Sequence, residues 1–227
     1  GASVAYRWDE SSNQLNLSSP VVLNMSNASS VAVFEAHNST YLAFSSDDQD
    51  LMSPDKIFRI EPDSVHGLRA VTVYIQSKST RGYERSLDVI HCHLSGVEHV
   101  IFGHNSTLPS PVLALGSSGS FTQVQSLEIA HVTSLFCFRK LDYAPIRSLN
   151  EPAYLVAKQI DAATIVFRWN GTLFLASPTA STHPKDAAGG QVLKISQGAG
   201  AVTHFRARAS SGFPVDYLLI ANAQDSM

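Results

Sequence analysis

The sequence predicts an all-β fold built from a repeated four-stranded unit. Short apolar runs rich in β-branched and aromatic residues recur between clusters of Ser, Gly, Asn, Asp and Pro, which is the pattern of strands and turns. No segment keeps a 3.6-residue apolar period over three turns, so helices are not expected. Similar phrases return at a spacing of roughly 50 to 60 residues, which is typical of an array of repeats. Together these observations predict a β-propeller of four-stranded antiparallel blades.

The first two strands of each unit, A and B, follow one another closely. The A phrase lies before the B phrase, and the B phrase carries an aromatic residue or His followed by apolar residues. The A phrases are VAVFEAH from Val31, LDVIHCH from Leu87, LFCFRKL from Leu135 and VTHFRAR from Val202. The B phrases are TYLAFSS from Thr40, EHVIFGH from Glu98, AYLVAKQ from Ala153 and DYLLIAN from Asp216.

The third and fourth strands, C and D, complete the unit. In three units the C phrase carries an aromatic residue followed by Arg, and we expect Trp8 and Trp169, which come next, to pack in the core and not to bind a ligand. The C phrases are KIFRIEP from Lys56, TIVFRWN from Thr164, SVAYRWD from Ser3 and the degenerate PVLALGS from Pro111. The D candidates are GLRAVTVYI, SFTQVQSL, TLFLAS and NQLNLSS.

The order of the phrases predicts how the propeller closes. The chain opens on a C phrase from Ser3 and finishes just after the B phrase from Asp216. We therefore expect one domain over residues 1–227, with four blades and a ring closed by pairing of these two terminal strands, because closure removes exposed sheet edges. The stretch 177–201 contains QVLKI, which leaves an extra strand or a fifth blade as an alternative. Pairing of the same ends between two molecules is a further alternative.

Composition limits the class of partner and the compartment. The formal net charge is −3 and charged residues make up 15%, which argues against a nucleic-acid-binding protein. No apolar run approaches the ~18 residues that span a bilayer, so no membrane insertion is expected. Six Asn residues begin an Asn-x-Ser/Thr sequon, which favours a secreted protein or an ectodomain that carries N-glycans. These are Asn16, Asn24, Asn27, Asn38, Asn105 and Asn170; Asn24 and Asn27 are too close for both to be modified comfortably.

The two cysteines, Cys92 and Cys137, lie in the A phrases of successive units. An even number of cysteines in a secreted chain favours a disulfide. When the A phrases are aligned, Cys92 and Cys137 fall on opposite faces of equivalent strands, which argues against the bridge. The sequence leaves both readings open.

Several groups of polar residues are candidates for sites of chemistry. His91, His93, His99 and His104 surround Cys92; His91 and His93 share one face of a strand, so they are candidates for zinc ligands, although polar packing near the axis is favoured. Acids of the B–C loops are candidates for calcium ligands, although turn residues are the more common role. These acids are Asp47, Asp48, Asp50, Asp161 and Asp225. No phosphate-binding loop and no Gly-x-Ser-x-Gly motif occurs, so we expect a non-enzyme without a required cofactor.

The alternation of YLVAKQID and TIVFRWNGTLF with VDYLLIANAQD and SVAYRWD resembles the EAR repeat, also called the EPTP or epitempin repeat. The resemblance covers three units well and the second unit weakly. It implies a secreted or ectodomain β-propeller that binds an extracellular or cell-surface protein and is not an enzyme. The alternative function is a carbohydrate-active propeller, either a lectin or a glycosidase, which would use aromatic residues in an exposed groove or convergent carboxylates.

Overall fold

The computed structural model describes residues 3–48, 53–63, 67–77, 83–139, 153–160, 164–175, 191–193, 202–208 and 214–220. Within these ranges the regular structure is entirely β, and every strand pairing is antiparallel. The all-β prediction is confirmed. The predictions that Asp50, Asp161 and Asp225 lie in B–C loops fall outside the described residues.

The strands form three full sheets with a half-sheet at each end of the series. The first half-sheet contains β1 (Ser3–Asp9) and β2 (Gln14–Leu23). The first full sheet contains β3 (Ala28–Ala36), β4 (Ser39–Ser46), β5 (Lys56–Asp63) and β6 (Gly67–Ile75). The second full sheet contains β7 (Ser86–Leu94), β8 (Val97–His104), β9 (Ser110–Leu115) and β10 (Phe121–Leu127).

The third full sheet contains β11 (Val132–Arg139), β12 (Ala153–Gln159), β13 (Thr164–Trp169), β14 (Phe174–Leu175) and β15 (Gln191–Leu193). The last half-sheet contains β16 (Val202–Arg208) and β17 (Pro214–Ile220). Each predicted A, B, C and D phrase overlaps a strand of this series, although the D phrase TLFLAS forms only the two-residue β14, and residues 140–141, 176–177 and 221–222 of three phrases fall outside the described residues. The four-stranded antiparallel sheets are arranged like blades, as the repeated phrases predicted.

The fourth strand of the third full sheet is split. β14 pairs with the end of β13, where Phe174 lies opposite Trp169. β15 pairs with the start of the same strand, where Leu193 lies opposite Thr164. The QVL stretch at 191–193 therefore belongs to the third full sheet, and in the described residues it does not begin a new one.

The pairing of the second strand with the third uses one register in all three full sheets. In the first and third sheets a Tyr lies opposite an Arg, as Tyr41 opposite Arg59 and Tyr154 opposite Arg168. In the second sheet His99 takes the Tyr position and Ala114 the Arg position. The aromatic-Arg phrase thus marks a fixed cross-strand position, which accounts for its recurrence.

Successive sheets pack through their first strands. β7 lies against β3 on one side and β11 on the other, and β16 lies against β11. At the other end of the series, β2 lies beside β6. Burial of apolar side chains between these sheets is the main stabilising term, since each face alone would expose its core residues to water.

Two large apolar clusters occupy the junctions on either side of the second full sheet. The junction with the first sheet includes Phe34, Tyr41, Val100, Phe102 and Phe121. The junction with the third sheet includes Leu94, Ile101, Leu155, Phe167 and Trp169, together with other apolar side chains. A smaller cluster of Leu23, Met25, Phe44 and Phe58 joins the first half-sheet to the first full sheet.

The two half-sheets remain separate in the described residues. β1 pairs with β2, β17 pairs with β16, and no ladder joins β1 to β17 there. The side chains of Arg7 and Trp8 lie outside the described part of the structure, so the packing role of Trp8 stays a prediction.

Candidate interaction surface

Successive strands in each sheet run in opposite directions, so the series of packed sheets has two distinct ends. The turns between first and second strands and between third and fourth strands lie at one end, which we call the turn end. The connections between second and third strands and between successive sheets lie at the other, which we call the connection end. Loops supported by rigid sheets are common positions for binding residues.

Tight turns define the turn end. His37 and Asn38 both have positive φ, 48° and 58°, as a two-residue hairpin turn requires, and Asn tolerates this conformation well. Ser95 and Gly96 form the corresponding turn of the second full sheet, with φ of 50° and 81°. A shallow groove beside the first of these turns is lined by Glu35, Ala36, His37, Asn38, Ser39 and Thr40.

A carboxylate joined to two imidazoles lies at the turn end of the second sheet. His91 Nε2–H donates to Glu98 Oε2 at 2.5 Å, and His93 Nδ1–H donates to Glu98 Oε1 at 2.6 Å. The His91 ring stacks on Phe34 of the first sheet, with centroids 4.3 Å apart and planes 2° apart. The prediction that His91 and His93 share a face agrees with this geometry. Glu98 was not predicted as part of this group, although its position opposite His93 on the next strand was the signal.

Charged side chains continue this surface onto the first sheet. Glu61 accepts hydrogen bonds from both Arg59 and Arg69, and these bonds lower the pKa of its carboxyl group, Arg59 having the larger effect. We call the six residues the turn-end surface: Arg59, Glu61, Arg69, His91, His93 and Glu98. Arg and aromatic residues are over-represented at the energetic centres of protein interfaces.

Trp169 is a packing residue, as predicted from its place in the C phrase. Its side chain is 8% exposed and lies edge-on to His99 and Phe174. Its indole N–H donates to Ser95 Oγ at 3.0 Å, which satisfies the one polar group of the ring. His99 Nδ1–H donates to the Val97 carbonyl at 3.0 Å, and burial lowers the pKa of His99. The imidazole is therefore a neutral packing group.

Cys92 of β7 and Cys137 of β11 form a disulfide between the second and third full sheets, with Cα atoms 6.1 Å apart. The expectation that residues on opposite faces of equivalent strands cannot be bridged was wrong. Successive sheets present opposite faces to each other, so two residues that bridge them must come from opposite faces of equivalent strands.

The connection end contains a buried polar network between the first and second sheets. Asp55 accepts a hydrogen bond from Ser46 N–H at 2.8 Å and another from Ser86 Oγ–H at 2.6 Å. Gln76 accepts from Asp55 N–H at 3.3 Å and donates to His104 Nε2 at 3.3 Å. Burial raises the pKa of Asp55 to about 7 and lowers that of His104. Both side chains are thus favoured in their neutral forms.

Asp88 links the first strands of all three full sheets. Its carboxylate accepts from Ser30 Oγ–H of β3 at 2.8 Å and from Leu135 N–H of β11 at 2.7 Å. Burial raises the pKa of its carboxyl group. This acid interrupts the apolar LDVIHCH phrase, which was the only signal of its role in the sequence.

The candidate metal ligands are not brought together in the part of the chain that the structure describes. No group of three or more His, Cys, Asp or Glu side chains there is arranged to hold a metal ion. Asp47 forms an ion pair with Arg85, with Nε–H donating at 2.7 Å, and Asp48 is buried. Asp47 thus ties the loop after β4 to the connection that leads into β7.

The sequons lie mainly in turns and connections. Asn24, Asn27, Asn38 and Asn170 are exposed, whereas Asn16 and Asn105 are half-buried. Asn170 Oδ1 accepts from the N–H groups of Thr172 and Leu173, at 2.9 and 2.8 Å, so it shapes the turn after β13. These contacts occupy the carbonyl oxygen of the side chain and not the amide nitrogen, which is the atom that carries an N-glycan.

Comparisons with known proteins do not assign this chain to a family. No protein-family model matches the chain, and no curated protein matches it. A solved structure of a protein from Lactobacillus plantarum is similar, with a TM-score of 0.42 and 10% sequence identity over 75% of this chain. The present chain spans 46% of that protein's length. No helix in the described residues is long and apolar enough to cross a membrane.

Proposed function

We propose that this chain is an extracellular, glycosylated protein-interaction module of the EAR (EPTP) type, without catalytic activity, secreted or forming part of an ectodomain. The observation that carries the proposal is the turn-end surface. It places the exposed imidazole of His93 and the exposed guanidinium of Arg69, each bonded to a partly buried carboxylate, beside an aromatic stack of His91, Phe34 and Tyr41. The cysteine pair and the four exposed sequons agree with an oxidising, secretory environment.

The finer architecture is part of the same proposal. The sheets are blades of a β-propeller, each chain supplies the strands of four blades, and pairing of β17 with β1 completes the fourth. The support is the order of the strands. The first half-sheet contains the C and D strands of a unit, and the last half-sheet contains the A and B strands.

The compartment is tested by expression in mammalian cells. The secreted protein is expected to run at a higher apparent mass than its N-glycosidase-treated form. Single Asn→Gln changes at the exposed positions Asn38 and Asn170 should each remove one glycan. A secreted band that does not shift after digestion would contradict the glycoprotein assignment.

Partner class is tested by staining cells with fluorescent tetramers of the secreted module. Binding is expected to be lost after mild trypsin treatment of the cells and to survive glycosidase treatment. Loss after glycosidase treatment alone would favour the lectin alternative. The double change His93→Ala and Arg69→Ala should abolish staining, whereas Gln123→Ala, exposed on β10, should preserve it. Equal staining by both variants would exclude the turn-end surface as the binding site.

A further inference from the structure

The turn after β13 contains the pair Asn170–Gly171, and no other Asn in the sequence is followed by Gly. Both residues are exposed, and Gly171 has a φ of 103°. Apart from its chain neighbours, no atom lies within 4 Å of the position that a Cβ of Gly171 would take. The peptide group between these two residues is therefore accessible to water and to hydroxide ion.

The side-chain carbonyl of Asn170 is held by two backbone donors. Its Oδ1 atom accepts from the N–H of Thr172 at 2.9 Å and from the N–H of Leu173 at 2.8 Å. The backbone also closes the turn, since Asn170 N–H donates to the Leu173 carbonyl at 3.1 Å. The bond from Thr172 completes a small ring of atoms that includes both Asn170 Cγ and the Gly171 nitrogen. The turn thus keeps an electrophilic carbon and a potential nucleophile close together.

Two N–H groups that converge on one amide oxygen have the arrangement of an oxyanion hole. Attack of the Gly171 nitrogen on Asn170 Cγ would place negative charge on Oδ1, the atom that both N–H groups already contact. Donors that are in place before the reaction stabilise this charge without having to move. Glycine adds the least steric hindrance at the nucleophile, because it has no Cβ.

We propose that Asn170 is a site of spontaneous deamidation and that the folded turn promotes the reaction. Hydroxide takes the proton of the Gly171 nitrogen, and the electron pair of that nitrogen forms a bond to Asn170 Cγ. Nδ2 takes a proton from water, which regenerates hydroxide, and leaves as ammonia, so that a cyclic imide remains. Water then adds to one imide carbonyl and breaks its bond to the Gly171 nitrogen. Opening at Cγ gives aspartate, and opening at the backbone carbonyl gives isoaspartate.

Conversion has three consequences at the turn end. It adds a negative charge, and it removes the amide nitrogen that an N-glycan requires, so one molecule carries either the glycan or the acid at this position. Isoaspartate also adds a methylene group to the backbone before Gly171, whose carbonyl accepts from Ser95 Oγ–H at 3.4 Å. Ser95 Oγ accepts in turn from the Trp169 indole N–H. We therefore expect the isoaspartyl form to melt at a lower temperature than the unconverted chain.

The test uses the chain produced in a bacterial periplasm, where disulfides form, in a host that attaches no N-glycans. The folded chain and a synthetic peptide of residues 164–175 are incubated side by side at neutral pH. Mass spectrometry follows the replacement of the amide NH2 by OH, and enzymatic methylation counts isoaspartate. We expect Asn170 to convert roughly tenfold faster in the folded chain than in the peptide, because only the fold holds both donors in place. Asn38, which is exposed and followed by Ser39, should stay unconverted over the same period.

A second variant tests the donors themselves. Thr172→Pro removes one of the two N–H groups and should slow the folded chain to the rate of a peptide that carries the same change. If the folded wild type converts no faster than its peptide, the Asn-Gly pair alone accounts for the reaction and the proposal is wrong. Undiminished conversion in a Thr172→Pro chain that melts like the wild type would also overturn it, as would conversion of Asn38 at the rate of Asn170.

Discussion

The second full sheet packs against the third through apolar side chains and a disulfide, whereas its junction with the first combines an apolar layer with a buried network of titratable groups. In the former, Trp169 fills the turn end and Cys92 is bonded to Cys137. In the latter, Asp55 and His104 lie at the connection end, linked through Gln76. The two junctions join sheets of the same design, so the difference lies in the side chains between them. Titratable groups also touch the third-sheet junction, because His99 packs on Trp169 and Asp88 accepts from Leu135 N–H. We expect the larger pH response at the first-sheet junction, where burial raises the pKa of Asp55 to about 7.

The largest expected effect is the loss of the Trp169 side chain. Trp169→Ala removes the indole from the second-to-third junction and should lower the free energy of unfolding by about 3 to 5 kcal/mol, measured by urea denaturation. Trp169→Phe keeps an aromatic ring and loses the hydrogen bond to Ser95, so its cost should be smaller. A variant that retained wild-type stability but lost a binding partner would make Trp169 a binding residue and not a packing residue.

The disulfide at the same junction should give the next largest effect. The double change Cys92→Ala and Cys137→Ala frees a crosslink that spans 45 residues and should cost about 2 to 4 kcal/mol. Reductant should lower the melting temperature of the wild type toward that of the double variant and leave the variant unchanged. Equal melting of the oxidised wild type and the variant would show that the bridge contributes no stability.

The first-to-second junction is tested by pH. Burial raises the pKa of Asp55 from 3.8 to about 7, so between these values the folded protein holds a proton that the unfolded chain has released. The contribution of Asp55 to the free energy of unfolding therefore falls as pH rises through this window, by at most about 1.4 kcal/mol per pH unit. Asp55→Asn should remove this slope and raise stability at pH 8 relative to the wild type.

Each variant is compared with the wild type at the same pH, because burial also lowers the pKa of His104 below its ordinary value of 6.5. Below pH 6.5 the contribution of His104 to stability rises with pH, which opposes the effect of Asp55. The matched control is Asp47→Asn at the same end of the sheets, which should keep the Asp55 slope. Identical pH profiles for Asp55→Asn and wild type would contradict a titratable junction.

The smallest expected effect concerns the ion pair on the outside of that junction. Asp47 and Arg85 are each only partly buried, so Arg85→Ala should lower the free energy of unfolding by about 0.2 to 1 kcal/mol. The effect should diminish at high salt, because screening weakens exposed ion pairs. A cost as large as that of Trp169→Ala, or one that is unaffected by salt, would show that this contact has a larger role.

The recurring phrases were enough to predict the strands of the sheets, because apolar alternation and turn residues are local signals. The contact of Glu98 with His91 and His93 could have been found from strand register. The Asp55 network could not, because Ser86 and His104 reach Asp55 and Gln76 only through packing of the second sheet on the first. The extra strand that QVLKI left as an alternative is confirmed by β15, but its pairing with β13 beside β14 is a long-range contact that no local pattern indicates.

The central claim, that the sheets are blades set around a common axis, is tested most directly by electron microscopy of the secreted protein bound to an antibody fragment that adds mass. Class averages viewed along the axis are expected to show radial blades around a central opening. Averages that show two stacked sheets without radial features would contradict the account.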